Sequence, residues 1–158
     1  MIKQIHIYDI DGTLVDSTHR YRTIVTPEGK LAIDFPYWVE NRHRAMDDKL
    51  LPLAKQYQAQ LKDPSVYVVA ATARNMHPTE RQHIEQVLGW PQHMIARRDG
   101  DNRSGALLKV LGLNKLFSLK QFAKVETRFF YEDNQAYLQA VCNAHNCKGI
   151  YVESQQGY

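Results

Sequence analysis

The 158-residue sequence has little of what marks a specialised chain. It carries only two cysteines, Cys142 and Cys147, late in the chain. A zinc centre normally takes four ligands, so this pair with His145 between them falls short of one. Both thiols are expected to stay reduced, as in a reducing compartment. No apolar run approaches the ~20 residues of a membrane span, and no leader-like stretch precedes the first apolar strand. A soluble, intracellular chain without a membrane partner is therefore expected. Glycine and proline, at eight and six residues, are too sparse for a collagenous or low-complexity chain. The net charge of +3 is far from the dense basic stripe of a typical nucleic-acid binder, although it suits an anionic substrate. No Gly-rich loop ending in Lys-Ser or Lys-Thr is present, which excludes a P-loop kinase.

What is present is an alternation of strand-like and helix-like segments. Ile2 to Ile10 reads as a strand running into Asp9-Ile10-Asp11 and a Gly12-Thr13 turn. Thr13 to Pro36 reads as irregular. Tyr37 to Lys62 reads as helical, divided near Pro52. Val66 to Ala71 is a continuous apolar run, as in a parallel strand buried on both faces. Thr79 is expected to cap a helix, with Gln82 three residues on and Gly89 as its stop. Met94 to Ala96 is a short strand, and Gly105 to Leu111 a helix closed by Gly112. Phe129 to Tyr131 is another strand, Gln135 to His145 a helix, and Gly149 to Val152 a last strand. Such alternation predicts a parallel sheet covered by helices on both faces. One domain over 1–158 is expected, with a cap or insert at about 15–61.

In open α/β sheets the ligand site lies outside the carboxyl ends of the strands. Asp9, Asp11, Thr72, Arg74, Glu132 and Asp133 would all meet there. Two carboxylates as close as Asp9 and Asp11 repel each other unless a cation or a proton relieves them. Magnesium accepts carboxylate and carbonyl oxygens while keeping several waters. The same string is also compatible with a plain turn after a strand. Thr72 and Arg74 can hold phosphoryl oxygens, Arg through bidentate contacts. Each is also compatible with an ordinary turn or surface position. Lys109 is either a solvated helix residue or a cation that neutralises a transferring group. Glu132-Asp133 is either a metal-ligand pair or an acidic start to the next helix, which the helix dipole favours.

Taken together, YDIDGTL (Tyr8 to Leu14), VVAATAR (Val68 to Arg74), Lys109 and FFYEDN (Phe129 to Asn134) resemble the motifs of the haloacid dehalogenase-like (HAD) phosphatase superfamily. The resemblance implies a Rossmannoid three-layer α/β/α fold with a small helical cap. It implies Asp9 as nucleophile, Asp11 as general acid and base, and Thr72 and Lys109 as phosphate-binding catalytic groups. It implies Mg2+ held by Asp9, the Asp11 backbone carbonyl and Asp133, with Glu132 as a further candidate. With Asp11 donating a proton in one step and accepting one in the next, activity is expected near neutral or mildly acid pH.

A narrower resemblance is to the phosphatase domain of bacteriophage polynucleotide kinase-phosphatase and its stand-alone phage and bacterial relatives. It rests on Thr18-His19-Arg20, Ala73-Arg74, Arg97, Gly100-Asp101, Arg103 and Lys109. It implies a nucleotide or nucleic-acid 3′-phosphate as substrate, bound by Arg74, Arg97, Arg103, Arg20 and His19. It also implies the cytoplasm of a bacterium or phage-infected cell as location. The acidic residues usual before the motif lysine are Gly105-Ala106 here, and the usual final Asp-Asp-Arg is Glu132-Asp133-Asn134. A phosphatase of small metabolites such as sugar phosphates, or a non-catalytic interaction protein on the same fold, remain alternatives. Nothing in the sequence points to an obligate protein partner.

Overall fold

The computed structural model describes residues 1–154. The strands are β1 (Gln4–Tyr8), β2 (Val15–Asp16), β3 (Thr23–Val25), β4 (Leu31–Ile33), β5 (Lys49–Leu50), β6 (Val66–Asn75), β7 (His93–Arg97), β8 (Thr127–Glu132) and β9 (Lys148–Tyr151). The helices are α1 (Phe35–Asn41), α2 (Ala54–Gln60), α3 (Pro78–His83), α4 (Gly105–Phe117), α5 (Lys120–Ala123) and α6 (Gln135–His145). Five strands form one parallel sheet in the order β7-β6-β1-β8-β9.

Strand alternation sends successive side chains to opposite faces. Ile5 and Ile7 therefore pack with Val69, Leu108, Phe130 and Val141 on the face covered by α4 and α6. Tyr8 packs with Val68, Tyr131, Tyr57 and Leu88 on the face covered by α2 and the π-helical segment Ile84–Leu88 that follows α3. Both faces are buried, which explains the near-continuous apolar runs of β1 and β6.

Register decides where the polar ends fall. Tyr8 at the end of β1 pairs with Ala70 on one side and Tyr131 on the other. One or two residues further along, Asp9, Thr72 and Glu132 therefore emerge at one edge of the sheet.

Several expected boundaries differ. β6 continues to Asn75 through a register break after Ala71, which carries Thr72 and Arg74 on the strand itself. The expected helix over Tyr37 to Lys62 is instead α1, a 3-10 segment (Arg42–Asp47), β5 and α2; the pairing of β5 with β2 interrupts the helical run. The segment read as irregular contains the β3–β4 hairpin, and β2 pairs antiparallel with β5 so that the excursion begins and ends at one place. α3 is capped by His77, not Thr79. Pro78 fixes the first helical φ, and Glu80 reaches back to the His77 backbone N–H at 2.8 Å. The Thr79 hydroxyl instead donates to the Arg42 carbonyl at 3.0 Å. α4 runs through Gly112 to Phe117. Gly112 does not stop it: a Cβ there would lie 2.8 Å from Ile95, so glycine is a packing choice.

His6 lies inside the sheet face, stacked on Phe129 at 4.5 Å. Its Nε2 faces the Gln4 Oε1 and its Nδ1 the Tyr131 hydroxyl, both at 3.0 Å. Burial lowers its pKa from 6.5 to about 4. A neutral ring is thus favoured by the fold, and this stability is complete above pH 6.5 and lost as pH falls to about 4. Thermal melts at pH 7 and pH 4.5 should show a larger drop for the native protein than for His6→Gln.

Candidate active site

The sharp turn after β1 builds the centre of the site. Asp9 follows the strand, its N–H donating to the Tyr131 carbonyl at 2.9 Å. The Ile10 carbonyl then accepts from the N–H groups of Thr13, Leu14 and Val15. Gly12 sits at φ +79°, and a side chain there would overlap the Asp133 carboxylate and approach Ser154 Oγ to 2.7 Å. Only glycine lets the turn and Asp133 come this close.

Lys109 reaches this turn from α4, fully buried. Its ammonium donates to Asp9 Oδ1 at 2.8 Å and to Glu132 Oε2 at 2.6 Å. Thr13 Oγ1 donates to Asp9 Oδ2 at 3.3 Å. Glu132 Oε1 accepts from the Asn134 N–H, and Ser154 Oγ donates to Asp133 Oδ2 at 2.6 Å. Burial pushes the Asp9 carboxyl well above its ordinary range, against the pull of Lys109 and with the push of Glu132 and Asp133. Burial likewise raises Glu132 against Lys109. Burial alone would lower Lys109, but Asp9 and Glu132 overcome it and keep the amine charged.

Asp9, Glu132 and Asp133 are all buried and present carboxylate oxygens within 4.8 Å of one another. Three carboxylates against the single Lys109 ammonium leave an excess of negative charge on hard oxygen donors. That donor set fits Mg2+. Both Glu132 oxygens are held, at 2.6 and 3.1 Å, whereas Asp9 Oδ2 meets a weaker 3.3 Å contact from Thr13, so Asp9 and Asp133 are the better placed direct ligands.

Asp11 faces a different set of partners. Its Oδ1 accepts from Ser17 Oγ at 2.8 Å and lies 3.3 Å from Arg74 and 3.8 Å from Arg20. Burial would raise this carboxyl, but the two guanidiniums and Ser17 outweigh it and hold it low. Thr72 is buried beside it, its Oγ1 accepting from the Arg74 N–H at 3.2 Å, so that the hydroxyl proton can point toward a ligand. Asp9, Asp11, Thr72, Arg74, Arg97 and Asp133 line a cavity of about 220 Å³.

Two arginines and one histidine expected at the substrate mouth are placed otherwise. Arg20 is buried behind Asp11. It donates to Asp48 through Nε and Nη2, both at 2.8 Å, and to Glu80 through Nη1 at 2.9 Å. His19 turns to the same Asp48 at 2.8 Å. Arg103 is clamped onto Asp101 at the surface. Arg97 does line the cavity, but its guanidinium donates to the carbonyls of Ala73, Asp101 and Arg103 and so fastens the 98–103 loop to β6. Asp48, Glu80, Ser17 and Ser154 were not singled out from the sequence. Their partners lie 28, 60, 6 and 21 residues away, beyond any local pattern. The expected reduced pair, Cys142 and Cys147, is present as free thiols. Among the described residues no helix is long and apolar enough to cross a membrane.

The family model of the bacteriophage T5 5′-deoxynucleotidase matches residues 1–103, about two thirds of the chain. The chain belongs to this family. The match spans Asp9, Asp11, Thr72 and Arg74, while Lys109, Glu132 and Asp133 lie beyond it. No curated protein matches. Among solved structures, a chain of the Pnkp1/Rnl/Hen1 RNA repair complex superposes with a TM-score of 0.65 at 19% identity, over 98% of this chain and 44% of that one. The chain thus spans less than half the length of that protein. The HAD domain of effector protein Lem4 from Legionella pneumophila follows with a TM-score of 0.61 and 16% identity, over 98% and 88%. A HAD-superfamily hydrolase from Geobacter sulfurreducens gives 0.61 and 14%, over 96% and 89%. These likenesses establish the HAD fold.

Proposed function

We propose that the protein is a Mg2+-dependent phosphomonoesterase that hydrolyses deoxynucleoside 5′-monophosphates through an aspartyl-phosphate on Asp9. The observation that carries this reading is the buried Asp9–Lys109–Glu132 ion cluster beside Asp133, at the same sheet edge as Thr72 and Asp11. The family match supports a nucleotide in place of a sugar phosphate.

In this reading Asp9 attacks phosphorus with the oxygen that faces the cavity, and the bond from phosphorus to the ester oxygen breaks. Phosphate bound beside Arg74 offsets the guanidinium charge that otherwise holds Asp11 low, so that Asp11 can carry a proton and give it to that departing oxygen. Asp11 then takes a proton from the water that attacks the phosphorus of the aspartyl-phosphate, which frees inorganic phosphate and restores the Asp9 carboxylate. Lys109 keeps Asp9 in place, and Thr72 and Arg74 hold phosphoryl oxygens. Phosphoryl transfer needs such positioning and neutralisation above all. Asp9, Asp133 and the Asp11 carbonyl would hold the Mg2+, which when bound offsets the charge repulsion between phosphate and carboxylates. Glu132 acts behind them by fixing Lys109. The excursion between β2 and β5 serves as the cap, and Arg20 with Asp48 and Glu80 ties its base to α3 beneath Asp11.

Ser154 steadies the proposed ligand Asp133, and losing such a partner typically weakens metal binding about 10–100-fold. Ser154→Ala should accordingly raise the Mg2+ concentration that half-saturates both turnover and thermal stabilisation of the protein. A panel of deoxynucleoside 5′-monophosphates, 3′-phosphorylated oligonucleotides and sugar phosphates tests the substrate. The highest kcat/KM is expected on the 5′-monophosphates. Equal values throughout would defeat the nucleotide assignment, and a preference for the oligonucleotides would move the substrate to nucleic-acid ends.

A further inference from the structure

Next to the cavity over Asp9 lies a second one of about 370 Å³, within the size range of small-ligand sites. The two share Ile33, Ala73, Arg74 and Arg97, so they form neighbouring chambers along one path. The second has two unlike walls. One is aromatic and comes from α1: Phe35, 66% exposed, lies against Trp38 with ring centroids 5.8 Å apart. The other is polar and fixed. Asn75 holds Asp99 at 2.7 Å, and Arg97 holds the carbonyls of Asp101 and Arg103. Arg74 joins the chambers, standing 3.3 Å from Asp11 and 5.5 Å from the Trp38 ring. Arg42 adds a second cation at 5.7 Å from that ring.

We propose that this second cavity is the nucleobase seat of the enzyme, in which the base stacks on Phe35 and Trp38 while its polar edge meets the 98–102 loop and its phosphate lies over Asp9. The inference rests on the nucleotide reading above. A flat π-system with a polar rim matches one aromatic wall and one wall of fixed polar groups. A short acyl chain would leave most of the aromatic wall uncovered. Arg74 sits where the ribose-phosphate link must pass and can serve both chambers. Selection among phosphates therefore belongs to the cap residues Phe35, Trp38 and Arg42, while the sheet edge supplies the chemistry.

The test uses two independent readouts. Thymidine, which has no phosphate, should quench tryptophan fluorescence saturably in the Trp90→Phe protein, where Trp38 is the remaining tryptophan. Phe35→Ala, at an exposed position, should raise KM for thymidine 5′-monophosphate and leave kcat nearly as it was. The ratio of its kcat/KM to that on ring-free glycerol 2-phosphate should fall about tenfold. Absence of quenching together with equal losses on both substrates would overturn the proposal. The two failures are distinguishable. A native enzyme that prefers glycerol 2-phosphate to every nucleotide sinks the substrate reading and this seat with it. A native preference for nucleotides that stays undiminished in Phe35→Ala sinks the seat alone.

Discussion

Lys109→Met should destabilise the protein by about 3–5 kcal/mol and remove nearly all turnover. The side chain is fully buried, and its ammonium is the hydrogen-bond partner of both Asp9 and Glu132. Methionine fills much of the volume, so the loss reports charge and not a cavity. Without the cation, two buried carboxylates face each other with Asp133 close by. They can relieve this only by taking up protons. The folded variant would therefore bind protons more tightly than the unfolded chain, and its deficit should shrink as pH falls from 7 toward 5. Chemical denaturation in EDTA at both pH values measures this directly. A deficit below about 1 kcal/mol, the range of an exposed ion pair, would mean that the cluster is solvated.

Asp9→Asn should abolish turnover yet leave the fold as stable as before, or more so. An amide oxygen is too weak a nucleophile to open the covalent route. The energetics run the other way. Burial is the largest influence on Asp9 and opposes its charged form, and Glu132 and Asp133 add to that opposition. Replacing the carboxylate with a neutral isostere removes one negative charge from a crowded set. Lys109 keeps its 2.6 Å contact to Glu132. Melting temperatures in EDTA should match or exceed those of the native protein, while phosphate release falls to background. Such opposite responses at adjacent ends of one ion pair, Lys109 and Asp9, are what a site strained for function produces. A variant that both melted earlier and kept activity would place Asp9 among structural residues.

The parts of this site that were legible from sequence are those fixed by strand periodicity. Each of β1, β6 and β8 is an apolar run with polar residues at its carboxyl end, and parallel pairing in register brings those ends together. Asp9, Asp11, Thr72, Arg74, Glu132 and Asp133 were accessible in this way. Lys109 was not legible from pattern alone. It lies within LLKVLG, where a lysine on a solvated helix face looks the same, and the family resemblance singled it out. The cap was the least legible region. Trp38 and Met46 recur at helical spacing, but the chain between them changes from α1 to a 3-10 segment. The partners of Arg20 are illegible for a related reason. A Thr-His-Arg string says nothing about Asp48 and Glu80, which reach Arg20 from distant elements and pull it under Asp11. Ser154 is similar. Its contact with Asp133 exists because Val152 pairs with the Glu132 carbonyl at 2.9 Å and directs the chain past Gly12.

The central claim is that Asp9 is phosphorylated with the help of Mg2+. Beryllium fluoride is a direct probe because it bonds to a nucleophilic carboxylate as the phosphoryl group would, whatever the substrate. With Mg2+ present, beryllium fluoride should raise the melting temperature of the native protein well above that with Mg2+ alone. The rise should be absent in EDTA and absent in Asp9→Asn. An equal rise in Asp9→Asn, or one that persists without Mg2+, would contradict the account.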